Sequence, residues 1–208
     1  MKTLVLASSS PYRKAQLETL RLPFVCASPD IDEFALTGES ASILAARLAA
    51  EKAQAIAEKF PNAFIIGADQ TLAFEDQILG KPGSYDAAVQ QLKILSGKTV
   101  VLHSALALLD VINNKLQQAV IPTTVRYRTL TDEQIAFYLQ QDKPFDCAGS
   151  CKSESLGIAL LESVTSSDHS ALVGLPLIAL TTMLNNVNLS PLPAQTTKNE
   201  NPPPITSG

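Results

Sequence analysis

The sequence of 208 residues contains no tryptophan, only two histidines and only three cysteines. So small and odd a number of cysteines excludes a disulfide framework and is typical of a protein of the reducing cytoplasm. Cys147 and Cys151 form a C-x-x-x-C pair with no matching pair elsewhere, so small buried thiols are expected rather than a zinc site. His103 lies in an apolar run and His169 in a serine-rich one, and neither has the partners of a Ser/His/Asp triad.

Other features are also missing. No Gly-x-x-x-x-Gly-Lys-Ser/Thr segment is present, which excludes an ordinary P-loop. No run reaches the roughly 18 apolar residues of a membrane helix, and the first residues lack the apolar core of a signal peptide. The net charge of −4 argues against a broad basic surface for duplex nucleic acid. A local basic pocket for a small polyphosphate remains possible, because net charge does not describe clustering.

Hydrophobic patterning predicts a mixed α/β sheet with helices. Strands are predicted at 3–7, 24–27, 63–68, 99–109, 116–127 and 157–161, a hairpin at 71–79, and helices at 11–20, 41–60, 84–95, 131–140 and 171–184. Residues 1–189 are expected to form one domain. Residues 190–208 are rich in proline, threonine and asparagine, which predicts a disordered tail.

The first predicted strand runs directly into a serine cluster and a helix start. Ser10 is suited to the N-cap position and Pro11 to the first helical position, where a missing N–H costs nothing. The free N–H groups of this helix end, with Ser8, Ser9 and Arg13 beside them, would form an anion site for a phosphate. The same strand–serine–proline–helix joint also occurs as a purely structural connection.

A single carboxylate, Asp69, follows the apolar strand predicted at 63–68. A carboxylate at the carboxyl end of such a strand lies where open α/β sheets bind ligands. There it could hold a divalent metal, act as a general base on water, or do both. The alternative is a strand-end aspartate that caps a turn.

Three further charged residues are candidates for the same site. Lys52 lies in the middle of an apolar i,i+4 row of the long helix, where it either reaches past the core edge to solvent or binds phosphate in a site. Lys81, between Gly80 and Pro82, is a second cation on a turn. Glu33 ends an acidic loop that is either a solvated surface or a source of a second metal-binding carboxylate.

Seven short motifs follow one another at 6–13, 32–33, 51–53, 67–70, 80–82, 148–154 and 173–176. Their order and spacing resemble those of the Maf family of nucleoside triphosphate pyrophosphatases. The resemblance covers residues 1–184. It implies a fold similar to that of inosine triphosphate pyrophosphatases, a mixed twisted sheet with helices and two lobes around a central cleft.

Within that family the chain is similar to the YceF-like subgroup, the 7-methyl-GTP pyrophosphatases. The marks are Tyr12 before Arg13, Gln70 after Asp69, and Glu154. The subgroup that acts on dTTP and UTP usually has arginine at the first of these positions and threonine or serine at the second. The resemblance implies that Asp69 is the proton acceptor and that Tyr12, Gln70 and Glu154 set the choice of base.

The chemistry of these side chains suits that assignment. N7-methylation leaves guanine with a positive charge, and a tyrosine ring attracts a cationic base. The Glu154 carboxylate would accept from the guanine N1–H and exocyclic amine, while Gln70 offers both a donor and an acceptor. One departure from the family pattern is the pair Ser155 and Leu156, which replaces a glycine and an aromatic residue.

The expected reaction is hydrolysis of 7-methyl-GTP to 7-methyl-GMP and pyrophosphate. Ser8, Ser9, Arg13, Lys52 and Lys81 would hold the triphosphate, and Glu33 and Asp69 would bind Mg²⁺ or Mn²⁺. The resemblance also implies a homodimer. Two alternatives remain: a pyrophosphatase of the same fold acting on dTTP, UTP or another modified nucleotide, and a non-enzymatic nucleotide-binding regulator of septum formation.

Overall fold

The computed structural model describes residues 2–75 and 77–193. Its strands are β1 (Thr3–Ala7), β2 (Val25–Ala27), β3 (Ala63–Phe74), β4 (Gln77–Leu79), β5 (Thr99–Asp110), β6 (Lys115–Tyr127) and β7 (Leu161–Ser166). Its helices are α1 (Pro11–Glu18), α2 (Ala41–Ala55), α3 (Tyr85–Leu95), α4 (Asp132–Asp142) and α5 (Leu177–Asn186). From residue 194 onward the predicted tail lies outside the described residues. Within them, no helix has the length and hydrophobicity needed to cross a membrane.

The seven strands form one mixed sheet in the order β2-β1-β3-β5-β6-β7, with β4 attached to β3. Strands β2, β1 and β3 run parallel to one another, whereas β3, β5, β6 and β7 pair antiparallel. The long β5–β6 hairpin turns at Asn113 and Asn114, as predicted. The mixed α/β class expected from the sequence is confirmed.

The first lobe is built on the alternation of side chains along β1. Leu4 and Leu6 face one side of the sheet, where they pack with α1 and α5. Val5 and Ala7 face the other side, which is covered by α2 and the segment after it. This part of the sheet is therefore buried on both faces, as the continuous apolar runs of β1 and β3 predicted.

A second hydrophobic core lies at the other end of the sheet. There α3 and α4 pack on the last residues of β3, the first of β5 and the last of β6. Tyr127 and Tyr138 are the largest fully buried side chains in this core. The two cores make two lobes that share the long strands β3, β5 and β6.

Strand β3 is longer than predicted, and this changes the position of Asp69. The sequence predicted an end at Ala68, but β3 continues to Phe74 because β5 pairs with it over ten residues, from Phe64 to Ala73. Strand β1 stops at Ala7, opposite Gly67. Asp69 thus lies inside β3, just past the end of its shorter neighbour, rather than at a strand terminus.

Two other predictions near the carboxyl end were wrong. The strand predicted at 157–161 is a 3-10 turn (Leu156–Leu160) followed by β7. The helix predicted at 171–184 is a 3-10 turn (His169–Val173) followed by α5. Gly174 has a φ of 109°, a left-handed conformation that ends the first turn, and Pro176 precedes the new helix.

Helix α2 lies close to the sheet because of small residues. Ala45 and Ala49 pack against Ala105 and Ala107 of β5. A Cβ atom on Gly67 would lie only 1.9 Å from the Ala49 carbonyl oxygen, so only glycine allows this approach. The helix ends at Ala55, with a 3-10 turn before Pro61, shorter than the predicted 41–60.

Candidate active site

A cavity of about 660 Å³ opens between the two lobes, beyond the end of β1. Nine of the ten residues singled out from the sequence line it: Ser8, Ser9, Tyr12, Arg13, Glu33, Asp69, Gln70, Lys81 and Glu154. The tenth, Lys52, lies behind two of them. Five separate chain segments therefore contribute to a single cavity.

The strand–helix joint after β1 has the predicted capping geometry. Ser10 is the N-cap of α1, and its side chain accepts a hydrogen bond from the Arg13 N–H. The Ser8 hydroxyl accepts from the Ser10 N–H at 3.1 Å, and Ser9 is exposed in the cavity wall. The helix start therefore faces the cavity with hydroxyl and N–H groups, an arrangement suited to an anion.

The Arg13 guanidinium is anchored across the cavity floor. Its Nε donates to the Gly174 carbonyl oxygen at 3.0 Å. Burial lowers the pKa of Arg13 from its ordinary value, and the nearby carboxylates of Asp69 and Glu33 act in the opposite direction. An arginine keeps its charge under these conditions, so Arg13 is a fixed cation beside the two carboxylates.

Lys52 joins the two candidate carboxylates. Its ammonium group lies 2.6 Å from Asp69 Oδ1 and 2.7 Å from Glu33 Oε1. Lys52 and Asp69 are both buried, at 5% and 7% exposure. Because the buried Asp69 carboxylate has its direct ion pair with Lys52, removing Lys52 would leave it without a hydrogen-bonded cation, whereas the Glu33 side chain is 54% exposed. The inward-facing interpretation of this lysine is the one the structure supports.

The pKa of Glu33 is lowered from its ordinary value. Burial alone would raise it, but the hydrogen bond from Lys52 and the charges of Lys52, Lys81 and Arg13 outweigh that effect. Glu33 therefore stays ionised at any pH near neutrality. Lys81, on the turn after β4, lies on the cavity wall within electrostatic range of it.

The donor set fits a hard divalent cation. Glu33 and Asp69 offer carboxylate oxygens around a single positive charge, and Mg²⁺ is bound through one or two carboxylates plus substrate phosphates. Within residues 2–75 and 77–193 no group of three histidine, cysteine or acidic side chains forms a complete protein cage. A cation at this point would complete its coordination with substrate phosphate oxygens or water.

Another part of the cavity combines an aromatic ring with two carboxylates, and a lysine lies near the ring. Tyr12, Asp146 and Glu154 all line it. The Tyr12 hydroxyl is 3.5 Å from Asp146 Oδ1, and the Lys152 ammonium lies 5.3 Å from the centre of the Tyr12 ring. Burial, together with the thiol of Cys147 and the two carboxylates, raises the pKa of Tyr12 above its ordinary value.

Gln70 is held by the protein on its donor side. Its amide nitrogen donates to Ser104 Oγ at 2.8 Å and to the carbonyl oxygens of Ala171 and Leu172 at 2.9 and 3.2 Å. These bonds tie β3 to the 3-10 turn before α5. Gln70 therefore has its acceptor oxygen, rather than its donor, available to a ligand.

The wall that carries Glu154 depends on a glycine in the left-handed region. Gly149 has a φ of 70°, and its carbonyl oxygen accepts from the Tyr127 hydroxyl at 3.1 Å. A Cβ there would lie 2.7 Å from Leu72 and 2.8 Å from the Tyr127 oxygen. Ser155 and Leu156, the departure from the family pattern, do not belong to the cavity lining.

Cys147 and Cys151, expected to be buried, are half-buried, and Cys26 is exposed. Burial, with nearby acidic groups, raises the thiol pKa values of Cys147 and Cys151 to about 12. Neither is thus a thiolate nucleophile at neutral pH.

Sequence reasoning missed two charged residues near this site. Asp146 contacts Tyr12, although 134 positions separate them, and no local pattern distinguishes it from a surface aspartate. Arg47 binds the loop that carries Glu33. The sequence signal that could have found it is the i,i+4 pair that Arg47 forms with Glu51.

Comparison with known proteins supports the family resemblance that the sequence motifs indicated. The family model described as Maf-like protein matches residues 3–187. A 7-methyl-GTP pyrophosphatase of Cupriavidus pinatubonensis is 55% identical over 181 residues, 87% of this chain and 91% of that protein. Proteins of the same name from Methylobacillus flagellatus and Bordetella pertussis are 50% and 49% identical, over 88% and 91% of this chain and 96% and 94% of their own lengths. This chain belongs to the Maf-like protein family.

Proposed function

We propose that the chain is a nucleoside triphosphate pyrophosphatase that hydrolyses 7-methyl-GTP to 7-methyl-GMP and pyrophosphate. The observation that carries this proposal is the cluster of Lys52, Asp69 and Glu33 at the cavity. The same cavity is lined by the cations Arg13 and Lys81 and, in another part, by the Tyr12 ring and two carboxylates. Relatives about 50% identical over nearly the whole chain bear that name.

The triphosphate lies at the cationic part of the cavity. The Ser8 and Ser9 hydroxyls, the N–H groups of the α1 start and the Arg13 and Lys81 side chains neutralise its charge. In a displacement at phosphorus the protein itself has little covalent chemistry to perform. Positioning and electrostatic stabilisation of this kind therefore supply most of the rate acceleration. Lys52 contributes through its charge and by orienting Asp69.

Asp69 accepts the proton of the attacking water. Its Oδ1 is held by Lys52, whereas Oδ2 has no hydrogen-bond partner among the described residues. The water oxygen bonds to the α-phosphorus, the bond from that phosphorus to the bridging oxygen of the β-phosphate breaks, and pyrophosphate leaves. Mg²⁺ or Mn²⁺ held by Glu33, Asp69 and phosphate oxygens would supply charge stabilisation to the phosphates.

The methylated base lies at the acidic end. The positive charge of 7-methylguanine is attracted by the Tyr12 ring and by the carboxylates of Glu154 and Asp146. Glu154 accepts from the N1–H and exocyclic amine, and Gln70 contributes its acceptor oxygen. A neutral pyrimidine lacks this charge, so the same end disfavours UTP and dTTP relative to 7-methyl-GTP.

A substrate panel with Mg²⁺ tests the proposal, with release of pyrophosphate as the readout. We expect 7-methyl-GTP to be preferred over GTP, UTP and dTTP. Comparable rates on UTP and 7-methyl-GTP would assign the chain to the alternative pyrophosphatase activity. Binding without hydrolysis of any nucleotide would favour a regulatory role.

Replacement of Asp69 by asparagine tests the proton acceptor. Asp69→Asn should bind nucleotide, as measured by calorimetry, and lose hydrolysis by roughly 10²–10⁴-fold, the usual contribution of a general base. Asp132→Asn is the matched control, because Asp132 forms an exposed ion pair with Lys93. An Asp69→Asn rate equal to that of the control would refute the role.

Three further features belong to the same proposal. Residues 1–189 act as one catalytic domain, the protein works in the cytoplasm, and it forms a homodimer. Light scattering of the purified protein checks the dimer, and chelation followed by return of Mg²⁺ or Mn²⁺ checks the metal requirement.

A further inference from the structure

The segment that carries Glu33 has little apolar anchorage. It connects β2 to α2 without regular secondary structure; Ile31 is half-buried, but the large apolar side chains next to Glu33, Phe34 and Leu36, are 83% and 61% exposed. Burial of apolar area is what usually fixes a loop on a protein surface. Glu33 nevertheless reaches Lys52 at 2.7 Å, so another interaction must hold this loop in place.

That interaction comes from Arg47, on the middle of α2. Its Nε and Nη2 donate to the two carboxylate oxygens of Glu39 at 2.8 and 2.9 Å, a bidentate pair. Nη2 also donates to the Phe34 carbonyl oxygen at 3.0 Å, and Nη1 to Glu51 at 3.0 Å. One guanidinium thus contacts the middle of the loop, its end before α2, and its own helix.

The pair of Arg47 and Glu39 is largely shielded from solvent, since the Glu39 side chain is 5% exposed and that of Arg47 21%. The bond to the Phe34 carbonyl oxygen lies at the exposed side of the pair. Glu39 also accepts from the Leu36 N–H at 3.0 Å, which closes the end of the loop. In the described chain, every hydrogen bond or ion pair that joins residues 30–38 to a helix or strand is made by Arg47 or Lys52.

We infer that Arg47 is a positioning residue, which fixes the backbone at Phe34 and thereby holds the adjacent Glu33 carboxylate against Lys52. The inference rests on the proposed catalytic role of the site. Arg47 itself does not line the cavity. Lysine would replace it only in part, because the planar fork of arginine donates to two carboxylates and a carbonyl together.

Arg47→Gln should lower kcat/KM by roughly 10- to 100-fold, the range expected when a reacting group is misplaced by about 1 Å. The factor should be equal for 7-methyl-GTP and GTP, because the clamp is remote from the base, and the Mg²⁺ concentration needed for half-maximal rate should rise. Arg47→Lys should recover only part of the loss. Arg126→Gln, which removes an exposed ion pair with Glu162, should behave as the unaltered protein.

Hydrogen exchange gives a readout that does not depend on catalysis. In Arg47→Gln the amides of residues 30–39 should exchange faster, whereas those of β5 should not change. Glu39→Gln, which weakens the same clamp from the loop side, should give the same pattern and serves if Arg47→Gln does not fold. Unchanged exchange in both variants would overturn the clamp, even if the protein hydrolysed no nucleotide.

A double-mutant cycle separates positioning from general destabilisation. If Arg47 acts through Glu33, then Arg47→Gln should have little further effect on kcat/KM in a Glu33→Gln background. If Arg47→Gln lowers kcat/KM by the same factor in both backgrounds, the inference is overturned. Failure of the proposed function appears differently, as absence of hydrolysis in the parent protein.

Discussion

Gly67→Ala is the substitution whose consequence the structure defines most sharply. The new Cβ would lie 1.9 Å from the Ala49 carbonyl oxygen and 2.9 Å from the Ala53 nitrogen. Real Cβ atoms essentially never come closer than 3.0 Å to such an atom. To lengthen the first contact to that distance, α2 and β3 must separate by about 1.1 Å. Overpacking of this kind costs about 1–3 kcal/mol. For a domain of this size the melting temperature should fall by roughly 3–10 °C.

The same displacement acts on the site. Lys52 on α2 and Asp69 on β3 are only 2.6 Å apart, and a further separation of about 1 Å takes them out of normal hydrogen-bond range. A misplacement of this size costs about 10²-fold in rate. We therefore expect kcat to fall by about that factor well below the melting temperature, where Gly67→Ala is fully folded.

Thermal melting and a pyrophosphate-release assay at low temperature measure the two effects separately. Gly80→Ala is the control for melting, because nothing lies within 4 Å of the carbon it adds. A Gly67→Ala protein with the melting temperature and kcat of the parent would refute the reasoning, since it would mean that α2 does not depend on this close approach.

Three other predictions concern charge. Lys52→Met should lower the free energy of unfolding at neutral pH by about 3–5 kcal/mol, since Asp69 and Glu33 lose their shared cation, and added Mg²⁺ should restore part of it in melting experiments. Asp146→Asn should reduce the preference for 7-methyl-GTP over GTP about fivefold in kcat/KM, the value of an exposed charge pair; an unchanged ratio would exclude Asp146 from base recognition. The pKa of Glu33 is lower in the folded protein than its ordinary value of 4.5, so the ionised carboxylate stabilises the fold above pH 4.5. This stabilisation is lost as the pH falls through the lowered pKa. Glu33→Gln should therefore show a weaker loss of stability below pH 4.5, and acid melting curves that coincide with those of the parent would contradict this.

Local elements with strong patterns were predicted well. The Ser10 cap with Pro11 and the capping box of Thr131 with Gln134 have the expected geometry. These features depend on contacts within a few residues, which the sequence displays directly. The failures include β3, predicted to end at Ala68, the strand predicted at 157–161, the end of α2, and the final helix, which starts only after Gly174. Pairing with β5 extends β3, and no local pattern contains that information.

The membership of the site could be anticipated, but its internal contacts could not. Local chemistry and the family resemblance together identified ten residues, and nine line one cavity. The sequence did not indicate that Lys52 bridges Asp69 and Glu33, that the Gln70 donor is taken by Ala171 and Leu172, or that Asp146 contacts Tyr12. Each of these contacts joins segments distant along the chain.

By itself, therefore, the sequence determined the residue types, the caps and the alternation that buries β1 on both faces. Those properties follow from side-chain chemistry and from periods of two and 3.6 residues. Only the tertiary structure decided which charges meet. The close approach of α2 to Gly67 places Lys52 beside Asp69. The Arg47 guanidinium binds the backbone next to Glu33, which also contacts Lys52. Hydrogen-bonded ion pairs form only within a few ångströms, and such distances are set by the packing of whole elements.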